Sequence, residues 1–448
     1  MNKATNISVR RLLAIAGLGG LLYGVDFGVI AAAEPYMKAL GVYSGSQISH
    51  IVGAVLLGGL LASISAGWLC DFFGRKKMIV VSSAMFLVSI PVVCLSLECY
   101  LVLFAGRVLQ GMSAGYMAVV MPMYLTETLP ADIRGRGTGI FQFCLGLGLV
   151  VAAGAGCLIA MYYGASDSAN IDAAGKAAAW SANFWWTMIP VAVLFFGSFS
   201  LPESPVWLSG GHKKAKDAAA CVKIRGGSLL QRRYVIPFLL AIIVLTLNKT
   251  TGMSSFTSYL VSILQGSGLD GMAANWGQLV VKTANMLFTI AAAALVDRKG
   301  RVWLLKLGTG GMTLFLAAIA SIFLAVERFG VEATNFTGSF MLVSFIFMQA
   351  FYALGPGICV WLVLSELMPT RIRANGMACA LFMNQLVAWG LASWFRPWIE
   401  AWGWASMFFF FAANGVLYFI VSFFIPETKG KPIEELEHLF DKKTTPSP

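Results

Sequence analysis

Four ionisable residues stand inside long apolar runs. They are Asp26 in GLGGLLYGVDFGVI, Arg107 in FAGRVLQGMSAGY, Lys249 in LTLNKTTGMSSF and Lys282 in LVVKTANML. A charge at the centre of a bilayer costs roughly 2.5–3.5 kcal/mol on insertion scales, so each calls for a partner or a task. Asp26 is the only acid well inside an expected span. Two chemistries fit it: a structural acid tied to a base, or a carboxyl that takes up and releases a proton as a cation leaves and returns. Arg107 is the nearest base in the same half of the chain. Lys249 lies too deep in its run to reach the interface easily. Lys282 reads as nearer the outer end, where snorkelling is open to it.

Polar residues gather around Lys249. Asn248, Thr250, Thr251, Gly252, Ser254 and Ser255 form a belt at mid-run, which points to a locally broken helix lining a wet cavity. GPGICVW breaks a later run at Pro356, and Trp361 follows the break, where an aromatic plate can stack on an apolar sugar face or simply pack. Gln142 suits an interhelical hydrogen bond or a ligand contact. Asn285, Asn384 and Gln385 are further amides at depth.

The elements that must hold these residues are membrane spans. The chain of 448 residues is 58% apolar and 12% charged, with a mean hydropathy of +0.76; soluble domains carry about 25% charged residues. Twelve runs are long enough to cross about 30 Å of hydrocarbon: 12–33, 48–70, 78–97, 101–126, 137–162, 181–201, 235–264, 274–296, 303–326, 338–367, 375–395 and 404–425. The expected organisation is a six-helix bundle over 1–201, a cytoplasmic linker over 202–234 with a short amphipathic helix, a second six-helix bundle over 235–425, and a cytoplasmic tail over 426–448. The net charge of +11 does not mark a nucleic-acid binder. With the amino terminus inside, most of the 32 Lys and Arg fall in cytoplasmic links, and only Lys38, Lys176, Arg328 and Arg396 fall outside. That bias places both termini in the cytoplasm. The eight cysteines show no CxxC spacing and read as packing residues, with no disulfide, metal or cofactor framework.

Three motifs occur twice in the same order. GWLCDFFGRKK returns as ALVDRKGR, with Asp71 and Arg75 each 226 residues before Asp297 and Arg301. ETLPADIR returns as ELMPTRIR, carrying Glu127 and Arg134 onto Glu366 and Arg373. PES returns as PET, carrying Glu203 onto Glu427. One half has been duplicated, and internal duplication in an apolar chain is the mark of a transporter.

Together these motifs resemble the sugar porter family of the major facilitator superfamily, over nearly the whole chain. The Asp-x-x-Gly-Arg link marks only the superfamily, whereas PESPVWL with PETKG is far more specific. The resemblance implies an all-α membrane fold: two pseudo-symmetric six-helix bundles that rock about a central site. It implies that Asp26 couples a proton and that Arg107 is its partner; members without the acid are typically uniporters. Gln142, Asn285, Trp361 and Asn384 match positions that contact sugar. Asp71, Arg75, Glu127, Arg134, Glu203, Asp297, Arg301, Glu366, Arg373 and Glu427 match the cytoplasmic charge network that latches the outward-facing state. Departures from the family lie on span seven, where Asn248-Lys249 and Gly252-Met253-Ser254 replace its two glutamines and Gly-Ile-Asn. Val206 replaces the arginine of the PES motif.

The expected function is proton-coupled uptake of a hexose or pentose by a monomer in a cell membrane. On span seven Asn248, Lys249 and Ser254 join the expected substrate-binding residues. The alternatives are a uniporter, a sugar-acid carrier using Lys249, and a non-transporting sugar sensor, which the short tail disfavours. The sugar motifs argue against a drug exporter. No hydrolase triad, metal-ligand set or nucleotide loop marks an enzyme or an ATP-driven pump.

Overall fold

The computed structural model describes residues 9–96, 98–130, 133–210, 232–368 and 373–427. Among them the secondary structure is helical. In chain order the helices are α1 (Val9–Leu40), α2 (Gly45–Phe73), α3 (Arg75–Leu95), α4 (Tyr100–Thr128), α5 (Arg134–Tyr163), α6 (Ala173–Trp185), α7 (Met188–Ser198), α8 (Pro205–Leu208), α9 (Arg232–Thr250), α10 (Met253–Gly266), α11 (Gly271–Lys299), α12 (Arg301–Arg328), α13 (Asn335–Leu354), α14 (Pro356–Leu367) and α15 (Arg373–Ser422). Eleven stretches are long and apolar enough to cross a membrane. The last of them, Cys379–Ser422, turns back at Gly403 (φ 79°), so twelve crossings result. The amphipathic segment expected between 213 and 225 and most of the tail lie outside the described residues.

Backbones meet closely because small residues line the contacts. A Cβ on Gly24 of α1 would run into the Leu145 carbonyl oxygen of α5, and one on Gly148 into the Leu21 carbonyl oxygen of α1. Gly58 and Gly111 repeat that reciprocal approach between α2 and α4. Lipid tails give helices no hydrophobic reason to associate, so close backbone packing supplies the attraction.

The duplication reappears as paired helix starts. Gly74 (φ 95°) opens α3 and Gly300 (φ 96°) opens α12, and neither has a side chain to cap the helix. A distant carboxylate does it instead. Glu203 accepts from the Arg75 and Lys76 amides at 2.9 and 3.0 Å, and Glu427 from the Arg301 and Val302 amides at 3.1 and 3.0 Å. Free amides and the positive end of the helix dipole both favour an anion there. Glu327 does the same after Gly403, accepting from the Trp404 and Ala405 amides.

Two elements run further than the sequence suggests. The first span was expected to end at residue 33, but α1 continues through Pro35 to Leu40 and carries Glu34 inside the helix, fully buried. Asp26 is therefore not the only acid within a span. Arg396, expected in an outer loop, is a buried residue of α15. The apolar pattern is interrupted in both places, yet the helices persist because the two charges meet each other.

Candidate substrate and coupling site

We call the end where α1 begins and α15 finishes the near end, and the opposite end the far end. Near mid-depth on α1, Gly24 and Gly28 press against α5. Two helical residues rotate the side-chain direction by about 200°, so Asp26, midway between them, is turned away from α5 and meets α4. There Arg107 Nη1 lies 3.6 Å from Asp26 Oδ1, and both residues are 1% exposed. Arg107 Nη1 also donates to Gln110 Oε1 at 2.7 Å, and its guanidinium lies 5.4 Å from the Phe184 ring centroid. Neither oxygen of Asp26 accepts a hydrogen bond among the described residues. Among the described residues one ion pair at 3.6 Å is all that holds this carboxylate.

The belt expected on span seven is a break. Gly252 takes φ 86°, α9 ends at Thr250 and α10 starts at Met253. Lys249 Nζ folds forward over the break to Ser254 Oγ at 3.3 Å. Lys282 Nζ approaches from α11 to Thr257 Oγ1, also at 3.3 Å. Lys282 does not snorkel: it is 2% exposed, and the twelfth position of α11 puts it about 17 Å from the helix start. Asn285, one turn on, is partly exposed and donates to Gln349 Oε1 at 3.3 Å. Asn248 is buried beside the hydroxyls of Tyr352 and Tyr418, and Asn384 donates to the Leu245 carbonyl at 3.1 Å. These two amides brace the second half of the chain from within. Gln142 is exposed on α5, one turn before Gly146, which faces Met286 of α11 across the seam. The side chain of Trp361 lies outside the described residues.

At the near end Arg75 holds the first-half network. Its Nε and Nη2 reach Glu127 at 3.0–3.2 Å, and Nη1 reaches Asp71 at 3.3 Å and the Cys70 carbonyl at 3.0 Å. Ser204 donates to Glu127, and Trp207 Nε1 to the Asp71 carbonyl at 2.9 Å. Arg301 and Glu427 meet in the second half through the helix cap. The side chains of Arg134, Asp297, Glu366 and Arg373 lie outside the described residues.

The far end is closed by bonds between the halves that sequence reasoning missed. Glu34 of α1 pairs with Arg396 of α15, with Arg396 Nε 2.7 Å from Glu34 Oε1. Ser262 of α10 donates to the other Glu34 oxygen. Ser49 of α2 accepts from the Arg396 amide at 3.0 Å and from the Tyr259 hydroxyl at 3.3 Å. Asp167 accepts from the Gly271 amide at 2.7 Å, and deeper, near the level of Asp26, Gln278 donates to the Gly28 carbonyl at 3.4 Å. The lone acid and base at the interrupted ends of two apolar runs were the only trace of this cluster in the sequence.

Twelve crossings, duplicated halves, a buried ion pair and a broken, polar helix define a membrane carrier of the major facilitator type. The family model for "Sugar (and other) transporter" matches residues 12–233 and 223–440, and the chain belongs to that family. The arabinose-proton symporter of Bacillus subtilis is 28% identical over 95% of this chain and 94% of its own. The galactose-proton symporter of Escherichia coli is 26% identical over 94% and 92%. Among solved structures, that of a D-xylose-proton symporter superposes with a TM-score of 0.81 at 23% identity, over 94% of this chain and 99% of that one. The xylose transporter XylE from E. coli in its inward-open conformation gives 0.79 at 24%, over 97% and 100%. The likeness of these structures is a likeness of fold.

Proposed function

We propose that this protein is a secondary active transporter that takes up a sugar-class substrate together with a proton by alternating access. The near end is the cytoplasmic face, since the links there hold most of the Lys and Arg, and the protein works as a monomer in a plasma or bacterial inner membrane. The buried Asp26–Arg107 pair carries the reading. With the far end open, Asp26 takes a proton and loses its charge, and Arg107 keeps Gln110 as its partner. The neutral acid then no longer holds α1 to α4 by charge, and the loaded carrier can turn. Gln142, Ser254, Asn285, Trp361 and the Lys249 region would contact the substrate at the seam, with Asn248 and Asn384 bracing it. The arabinose- and galactose-proton symporters among the relatives support the pairing of sugar with proton.

The test is Asp26→Asn in proteoliposomes. Accumulation driven by an imposed proton gradient should fall to the equilibrium level, while exchange of labelled for unlabelled substrate persists. Uphill uptake at the wild-type rate would sink the proposal.

A further inference from the structure

The described membrane-embedded charges do not balance evenly between the halves. Arg107 faces Asp26 and Arg396 faces Glu34. Lys249 and Lys282 have no carboxylate within ion-pair reach among the described residues, and each meets one hydroxyl. An ammonium carries three donors, so each lysine has capacity to spare. Their hydroxyl partners are Ser254 and Thr257, three residues apart on α10. Positions i and i+3 lie on one helical face with Cβ atoms about 5–6 Å apart. Two ammonium groups, one from α9 and one from α11, therefore converge on the same short face just beyond the break at Gly252.

That face borders the seam between the halves. One turn along α11 from Lys282, Gln278 donates to the Gly28 carbonyl of α1, two residues from Asp26. One turn the other way, Asn285 is partly exposed, as is Ser254 on α10. The cluster thus sits at the depth of Asp26, with reachable polar groups on both of its helices. Two like charges in a low-dielectric site repel each other and lose hydration, and an anion relieves both penalties. A carboxylate has two oxygens, one for each ammonium, which leaves Ser254, Asn285 and Gln142 for hydroxyls. We propose that Lys249 and Lys282 together bind the carboxylate of a sugar acid, a uronate or an aldonate, and that this anion is the transported substrate. The inference rests on the transport reading above. It also has an electrical signature: one monoanion carried with one proton moves no net charge, whereas a neutral sugar carried with a proton moves one.

The experiment uses the purified full chain at pH 7. Ligand-induced thermal stabilisation is measured with D-glucuronate, D-galacturonate and D-gluconate against D-glucose, D-galactose and D-xylose. A ligand that binds only the folded state raises the melting temperature with its occupancy. The expected result is stabilisation by at least one acid, little by the neutral sugars, at least tenfold weaker acid binding in Lys282→Gln and Lys249→Gln, and partial retention in Lys282→Arg. Neutral sugars binding as well as or better than the acids, no acid binding at all, or acid binding indifferent to both Gln variants would each overturn the proposal. The wild-type panel decides even if a variant fails to fold. In proteoliposomes, acid uptake driven by the proton gradient should produce no substrate-dependent current. Acid binding without proton-driven uptake would sink the transport reading and leave the anion site standing; uphill uptake of a neutral sugar alone would do the reverse.

Discussion

Replacing Glu34 by Gln should open the far end. In the structure the Glu34 carboxylate is fully buried, bonded to Arg396 and Ser262, and Arg396 is nearly as deep. Removing one partner of a buried ion pair costs about 3–5 kcal/mol, because the remaining charge is left without compensation. That cost falls on the far-end-closed state; once the halves part, water reaches Arg396 and the penalty is relieved. At 1.4 kcal/mol per tenfold, the closed-to-open ratio should drop by roughly two to four powers of ten. Ser393 gives a reporter: it is buried, and its hydroxyl lies 2.6 Å from where a Cβ on Gly53 of the other half would stand. A Ser393→Cys variant can be labelled from the far side with a membrane-impermeant maleimide, after the exposed Cys99 has been changed to Ser. Labelling should accelerate strongly in Glu34→Gln and in Arg396→Met. The double variant should lie well below the sum of the two in free energy, since both remove one interaction. Equal labelling rates in all four proteins would show that the pair does not hold the far end shut.

The duplicated caps predict matched losses: Glu203→Gln and Glu427→Gln should each cost about 1.5–3 kcal/mol, the range for hydrogen bonds to a charged group, seen as a lower melting temperature in detergent. Gly300→Ala should destabilise by about 1–3 kcal/mol, because its φ of 96° with ψ of 156° is a backbone region open essentially to glycine alone and the new Cβ would stand 2.8 Å from Glu427 Oε2; an unchanged melting temperature would refute the capping account. Gly24→Ala should force α1 from α5, displace Asp26 and abolish proton-driven uptake even where the protein still folds; wild-type uptake would mean that the helices tolerate the gap.

The spans and the Asp26–Arg107 pair were legible because both depend on local signals, namely the length of an apolar run and a charge where lipid forbids one. The repeated motifs were legible as repeats, but what Glu203 and Glu427 do was not. Their partners are backbone amides, which look the same at every position of a sequence. Glu34 and Arg396 were misplaced for a related reason. Each stands just beyond the end of an apolar run, 12–33 or 375–395, and the pairing that keeps both charges in the membrane joins residues 362 apart. Lys282 seemed able to snorkel until the start of α11 at Gly271 placed it near the middle of the crossing.

The two halves kept the same scaffold and diverged in their charged interiors. Glu203 at Gly74 and Glu427 at Gly300 solve one helix-start problem in one way, so the scaffold has stayed symmetric there. Within that frame the first half neutralises its own buried charge by pairing Asp26 with Arg107, and a proton on Asp26 would discharge the acid and leave the positive charge on Arg107. Among the described residues the second half leaves Lys249 and Lys282 on hydroxyls, and in the proposal above their neutralisation comes from the substrate. Between them, Glu34 and Arg396 each make the other's burial tolerable only while the far end is shut. On the reading proposed above, each partner of the cycle meets a distinct electrostatic condition: a proton that discharges Asp26 in the first half, an anion that discharges the lysines of the second, and water for the far-end pair whenever that end opens.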